Sequence, residues 1–188
     1  MVAAMDAIDV IDTCSTVSTV STAEVLAWLG EVPDPEIPVI SIVDLGIVRA
    51  VAWDGDVCVV TITPTYSGCP AMAVIASDVR AHLHARGVSD VRLVTQLSPA
   101  WTTDWMSEAG KAALTGYGIA PPAGQVIDIS GLGVKRAAIK QAASAPAIAC
   151  PICGSAHTQL TSQFGSTPCK ALYKCLDCRE PFDYFKCH

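Results

Sequence analysis

The chain has 188 residues, 51% of them apolar and only 16% charged, with a net charge of −6. This is material for one medium domain and a small appendage, and the acidic excess repels a phosphate backbone or an anionic bilayer, so neither nucleic acid nor membrane is expected as a partner. The charge is uneven: residues 1–149 carry eight basic and fifteen acidic side chains, whereas 150–188 carry four and three.

No Lys or Arg precedes Arg49, so the start lacks the basic segment of a secretory signal and the Arg-rich character of a transit peptide. The uncharged run Val57–Ser77 is broken by Pro64, Gly68 and Pro70, which a lipid-spanning helix could not easily satisfy. A cytoplasmic protein is expected. There, nine cysteines, an odd number, favour metal ligation or thiol chemistry over disulfides.

Residues 1–20 are rich in Ser, Thr, Ala and Val, lack aromatics and read as a mobile leader. Ser21 or Thr22 then caps a short helix carrying Val25, Leu26, Trp28 and Leu29 on its apolar side, ended by Gly30 and Pro33. Asp34-Pro35-Glu36-Ile37-Pro38 cannot be helix interior. Two strand-like runs, Ile47–Trp53 and Val57–Thr63, meet at Asp54-Gly55 as a β-hairpin, and in the second run Cys58, Val60 and Ile62 share one face. Past the loop Pro64–Gly68, the series Met72, Ile75, Val79 and Leu83 marks a helix closed by Gly87. Val91–Leu97 returns as a strand. Thr102 or Thr103 opens a helix through Leu114 that Gly116 and Gly118 stop, and Gln125–Ile129 reads as a last strand. The order predicts a two-layer α/β domain over residues 21–130, a linker over 131–149 and a separate small unit over 150–188.

Cys150-Pro-Ile-Cys153 and Cys175-Leu-Asp-Cys178 are two C-x-x-C knuckles. In each, two sulfurs grip one ion while backbone N–H groups of the turn point at the thiolates, and two knuckles complete a tetrahedron. A segment of this size cannot hold itself together by apolar burial alone, so one structural zinc per chain is the economical account. Iron in the same shell would instead give a one-electron centre similar to a rubredoxin. Cys169 and Cys187, with His157 and His188, exceed what one zinc needs; they are a second thiol site, substitute ligands or small buried residues. Phe164, Tyr173, Phe182, Tyr184 and Phe185 are expected to pack the core of this unit.

Cys69 stands in Thr65-Tyr66-Ser67-Gly68-Cys69-Pro70, where a strand turns into a helix. With Pro70 at the first helical position, the thiol would meet the orphan N–H groups and dipole of the helix N-terminus, which stabilise a thiolate; the alternative is a small residue in a tight turn. Asp34, Glu36 and Asp44 have cap and turn roles as their commoner fate. His82 and His84, two apart on a helix, cannot chelate one ion together. Gly131-Leu-Gly133 is no dinucleotide fingerprint, and no phosphate loop, nucleophile elbow or paired His and carboxylate appears, so the chain is not expected to be catalytic alone.

Asp34-Pro35-Glu36-Ile37-Pro38, Ile42-Val43-Asp44-Leu45-Gly46 and Thr65–Pro70 together resemble the SufT-like iron–sulfur assembly family, over roughly Ser21 to Ile129. Trp101-Thr-Thr-Asp-Trp105, Tyr117-Gly-Ile-Ala-Pro-Pro122, Phe164-Gly-Ser-Thr-Pro-Cys-Lys170 and Glu180-Pro-Phe-Asp-Tyr-Phe-Lys-Cys187 resemble the PaaD family of accessory subunits of phenylacetyl-CoA epoxidase systems. The resemblance implies a SufT-like domain followed by a zinc ribbon, and a part in aerobic phenylacetate breakdown. It implies assistance in loading or repairing an iron or iron–sulfur centre of the oxygenase or its reductase, the other subunits being the partners. Cys69 matches the family's cysteine position and Glu36 its acidic motif, so these two are the implied transient contacts to iron or a cluster. A cluster resting on one cysteine per chain would be shared between two molecules, hence a homodimer. An electron-transfer subunit with iron in the tail and a purely structural bridge are the alternatives.

Overall fold

Residues 20–122 and 148–186 are described in the computed structural model. Helix α1 (Thr22–Leu29) starts at a reciprocal cap: the Ser21 hydroxyl accepts the Glu24 N–H and the Glu24 carboxylate accepts the Ser21 N–H. Its buried residues are Val25 and Leu29, while Leu26 is turned out to solvent because only a narrow stripe of so short a helix meets the sheet.

Strands β1 (Val48–Asp54) and β2 (Val57–Ile62) form the antiparallel hairpin, with Gly55 at a φ of 61° in the turn that its missing Cβ permits. In β2 burial alternates so that Cys58, Val60 and Ile62 point inward. Helix α2 (Ala71–His84) carries Ile75, Val79 and Leu83 into the same core and crosses over to β3 (Val91–Thr95), which lies parallel to β2 with Cys58 opposite Val91. The sheet order is β1-β2-β3. The helix ends on Ala85, two residues ahead of the expected Gly87, which at a φ of 89° instead turns the chain toward β3.

The helix expected from Thr102 to Leu114 is two pieces. Thr102 caps a single 3-10 turn, Thr103–Trp105; Met106 is extended, and Ser107 opens α3 (Glu108–Gly116) by accepting the Gly110 N–H. The break is tied to the loop before β1: Asp44 accepts the hydroxyls of Ser41 and Ser107 at 2.7 and 2.6 Å, and its carbonyl accepts the Ser107 N–H. Gly46 passes so close to Trp105 that an added Cβ would lie 2.7 Å from its Cβ and carbonyl oxygen.

Strand β4 (Ile119–Ala120) leaves this first unit and pairs in parallel with β7 (Pro181–Phe185), at the edge of a second sheet ordered β4-β7-β6-β5, where β5 is Thr158–Ser162 and β6 is Lys170–Cys175. The strand expected at Gln125–Ile129 and the linker before Ile148 lie outside the described residues, as do the leader, Cys187 and His188. Phe182 and Tyr184 fill the small core with Tyr173 stacked on Phe182. Two aromatics depart from that expectation. Phe185 turns the other way, into the core of the first unit, edge-on to Trp101 at 5.9 Å, and Phe164 is 67% exposed with the Lys186 ammonium 4.6 Å above its ring. Alternation along β7 sends neighbouring rings to opposite faces, and both faces of this strand are covered. Among the described residues no helix is long and apolar enough to cross a membrane.

Candidate metal centre and the thiols beside it

The turns after Ile148 and after β6 bring the sulfurs of Cys150, Cys153, Cys175 and Cys178 within 4.8 Å of one another, the one such group of ligand atoms among the described residues. Cys150 and Cys178 are 3.8 Å apart and Cys153 and Cys175 are 3.6 Å apart. Four sulfurs at about 2.3 Å from a central zinc stand about 3.8 Å apart at the tetrahedral angle, so the set fits the ion.

The two knuckles are built alike. After the second cysteine of each, the chain enters the left-handed region, at Gly154 (φ 75°) and at Arg179 (φ 68°). That conformation aims the following N–H groups back at sulfur, Ser155 donating to Cys153 and Glu180 to Cys178, while within the second turn Asp177 and Cys178 donate to Cys175. The N–H of Cys178 lies 3.5 Å from the Cys175 sulfur. These donors, the Cys178 N–H first, hold the Cys175 pKa down at about 7. Cys178 is pulled down by the Glu180 N–H, but burial and the surrounding thiols push it up to about 12. Neighbouring sulfurs cannot all carry charge without a cation between them, which is the demand that a metal ion meets. His157 is no ligand; its Nδ1 is 3.1 Å from Asp177, which Ser155 also contacts, so these side chains clasp the two knuckles together.

Cys69 precedes Pro70, which caps α2, and its half-buried thiol accepts the N–H of Ala71. The expected depression of its pKa is not found. Burial pushes it up, the Ala71 N–H only partly offsets this, and the carboxylates of Glu36 and Asp34 push further in the same direction. Asp34, 5% exposed, accepts the N–H groups of Glu36 and Ile37 at 2.9 Å each and so shapes the loop that presents Glu36. Burial raises the Asp34 pKa against those two bonds and the nearby Lys170.

Sequence spacing missed what stands across from this loop. The sulfur of Cys169, 4% exposed, lies 3.9 Å from the Glu36 carboxylate and 3.0 Å from the Thr167 hydroxyl. Tyr66 hydrogen-bonds Cys69 and feels the charges of Cys69, Glu36 and Cys169. Lys170, nearly buried, pairs with Asp183 at 3.5 Å. Beside them a cleft of about 680 Å³ runs between the two units, bordered by Glu36, Tyr117, Phe164, Lys170 and Asp183. Only the hexapeptide around Cys69 hinted at Tyr66, and nothing local in the sequence links position 36 or 69 to 169. Cys58 is fully buried on the inner face of β2, His82 faces Glu31 at 3.8 Å and His84 is exposed, so none joins a ligand set.

Comparison with known proteins divides the chain in the same two parts. The family model for an iron-sulfur cluster assembly protein matches residues 22–94, and that for a PaaD zinc beta ribbon domain matches residues 135–186. A protein of Escherichia coli K12 named as one of the subunits of 1,2-phenylacetyl-CoA epoxidase is 49% identical over 87% of this chain and 92% of its own length. The Fe-S protein maturation auxiliary factors YitW of Bacillus subtilis and SufT of Staphylococcus aureus are 37% and 40% identical over 48% and 43% of this chain, and 89% and 93% of their own lengths. With both parts matched, and a relative of such identity covered almost end to end, the chain belongs to the PaaD family, a SufT-like domain joined to a metal-binding ribbon.

Proposed function

We propose that this chain is an accessory maturation subunit of a multicomponent phenylacetyl-CoA epoxidase in aerobic phenylacetate breakdown. It assists the assembly or repair of an iron or iron–sulfur centre in the oxygenase or its reductase, and works in the cytoplasm with those subunits as partners. The observation that carries this reading is the half-exposed Cys69 at the head of α2, beside Glu36, in the part of the chain shared with Fe-S maturation factors. A thiol with a carboxylate at its side can take hold of iron and release it, since it does not enclose the ion as four thiolates do. The ribbon's four sulfurs take one zinc, which holds the fold and carries no electrons. Catalysis on the thioester stays with the partners.

The test is Cys69→Ser in cells that depend on this chain for growth on phenylacetate. Growth and oxygenase activity are expected to fall to the level of a deletion while the purified variant keeps its fold and one zinc per chain. Wild-type growth of the variant would refute the maturation role. Purified wild-type protein is expected to be colourless; stoichiometric iron with visible absorption that bleaches on reduction would shift the assignment to electron transfer.

A further inference from the structure

Two thiols outside the ribbon's four-sulfur set come to the same carboxylate from opposite sides of the seam between the two units. Cys69 arrives on the turn before α2, and Cys169 on the residue before β6. Glu36, on the loop that Asp34 shapes, is 3.9 Å from the Cys169 sulfur and its charge acts on the Cys69 thiol, while the Lys170 ammonium acts on Cys169. Tyr66 hydrogen-bonds Cys69 and feels the charges of Glu36 and Cys169. The β4–β7 pairing and Phe185 packed edge-on to Trp101 tie the two units together at this seam. The cleft that Glu36 borders opens the place to solvent.

We propose that Cys69, Cys169 and Glu36 form a second metal site across this seam, one that takes a thiophilic divalent ion, ferrous iron in its working state, and leaves a coordination position open. Two soft sulfurs and one hard oxygen suit iron or zinc and not magnesium or calcium. Three protein ligands with a vacancy are the pattern of a site that exchanges or passes on what it binds, in contrast to the closed ribbon. The three ligand atoms are not gathered as tightly as the ribbon's sulfurs, which alone among the described residues lie all within 4.8 Å. An ion must draw them in, at the expense of side-chain rotamers, which keeps it releasable. Binding exchanges two thiol protons, which leave to solvent, for the ion. The ribbon thereby contributes a ligand as well as a scaffold, and a single chain supplies two thiolates where Cys69 alone would have required a second molecule. This inference rests on the maturation reading only for its biological purpose; the site itself is tested by binding.

The experiment titrates cobalt(II), a coloured stand-in for ferrous iron, into anaerobic full-length protein whose ribbon is already loaded with zinc, with zinc content followed throughout. The expected result is one cobalt beyond the retained zinc, with sulfur-to-cobalt charge-transfer absorption that falls to about half in Cys69→Ser and in Cys169→Ser, and to none in the double variant, as the number of thiolates falls. Glu36→Gln, on a loop where folding is safe, should weaken cobalt binding by about 10- to 100-fold with the thiolate bands unchanged at saturation. Cobalt bound only in place of ribbon zinc, or a spectrum indifferent to Cys169 and Glu36, would overturn the site. If the site fails while Cys69→Ser still abolishes growth, the maturation role stands without it. If cobalt binds both thiols while Cys69→Ser grows normally, the site stands and the maturation role falls.

Discussion

Phe185 belongs by sequence to the ribbon and by packing to the other unit, so its truncation measures how firmly the two are joined. The ring is 1% exposed in the larger core, against Trp101. Replacing a buried Phe by Ala costs about 3–5 kcal/mol in lost transfer energy and residual cavity. About 0.5–1.5 kcal/mol of this belongs to the edge-on aromatic pair. Domains of this size are stable by only about 5–15 kcal/mol, so the loss is a large fraction of the whole. Phe185→Ala should therefore lower the denaturant midpoint of the first unit, followed by tryptophan fluorescence, while metal analysis still finds one zinc, because Cys150, Cys175 and Cys178 pack with the small core, which Phe185 does not join. Phe185→Leu should recover more than half of the loss. A cycle with Trp101→Leu should return a coupling of about 0.5–1.5 kcal/mol. An Ala variant within about 1 kcal/mol of wild type would refute the idea that the ribbon's last strand completes the larger core.

Stripping the zinc with a chelator, or replacing Cys153 by Ser, should unfold the ribbon, and by withdrawing Phe185 and the partner of β4 should also lower the midpoint of the first unit; an unchanged midpoint in the zinc-free protein would show that the two fold independently. Asp34→Asn keeps the oxygen that accepts the Glu36 and Ile37 N–H groups but removes a buried charge. Because burial raises the folded-state pKa of Asp34 above its value of 3.8 in the unfolded chain, its contribution to stability is complete below 3.8 and is lost as pH rises through the folded pKa. The Asn variant should thus gain on the wild type as pH rises from acid to neutral, read as the difference in urea midpoints at each pH; a variant less stable than wild type at pH 7, or a difference independent of pH, would contradict this.

Local chemistry explains which parts of this fold could be foreseen. The α1 cap at Ser21, the hairpin at Gly55 and the inward face of β2 each depend on residues within a few positions of one another, where a hydroxyl, a missing Cβ or a period of two decides the outcome. The break between the 3-10 turn and α3 was hidden because it depends on Asp44, more than sixty positions away, whose carboxylate accepts the hydroxyl of Ser107. Strand β4 was hidden for a related reason: two residues, Ile119 and Ala120, have no period to read, and they become a strand only because β7 offers its edge. The knuckle sulfurs were legible from spacing, since a metal site with local pairs writes its geometry into the sequence, whereas Cys169 facing Glu36 is set by the docking of two units and leaves no local trace.

The same contrast applies to Cys69, for which a thiolate at the helix N-terminus and a small residue in a tight turn were both open. Position in the sequence identified the helix N-terminus correctly, and the Ala71 N–H does reach the thiol. What sequence could not weigh was tertiary packing: burial, together with the carboxylates of Glu36 and Asp34 on a loop distant in sequence, outweighs a single N–H donor. The consequence is chemical. A thiolate exposed by a lowered pKa is open to oxidation as well as to metals, whereas a thiol kept protonated by burial and anionic neighbours resists oxidants and yields its proton to an arriving cation. The carboxylates of Glu36 and Asp34 that suppress the bare thiolate favour a cation in its place, against the opposing charge of Lys170 near Cys169.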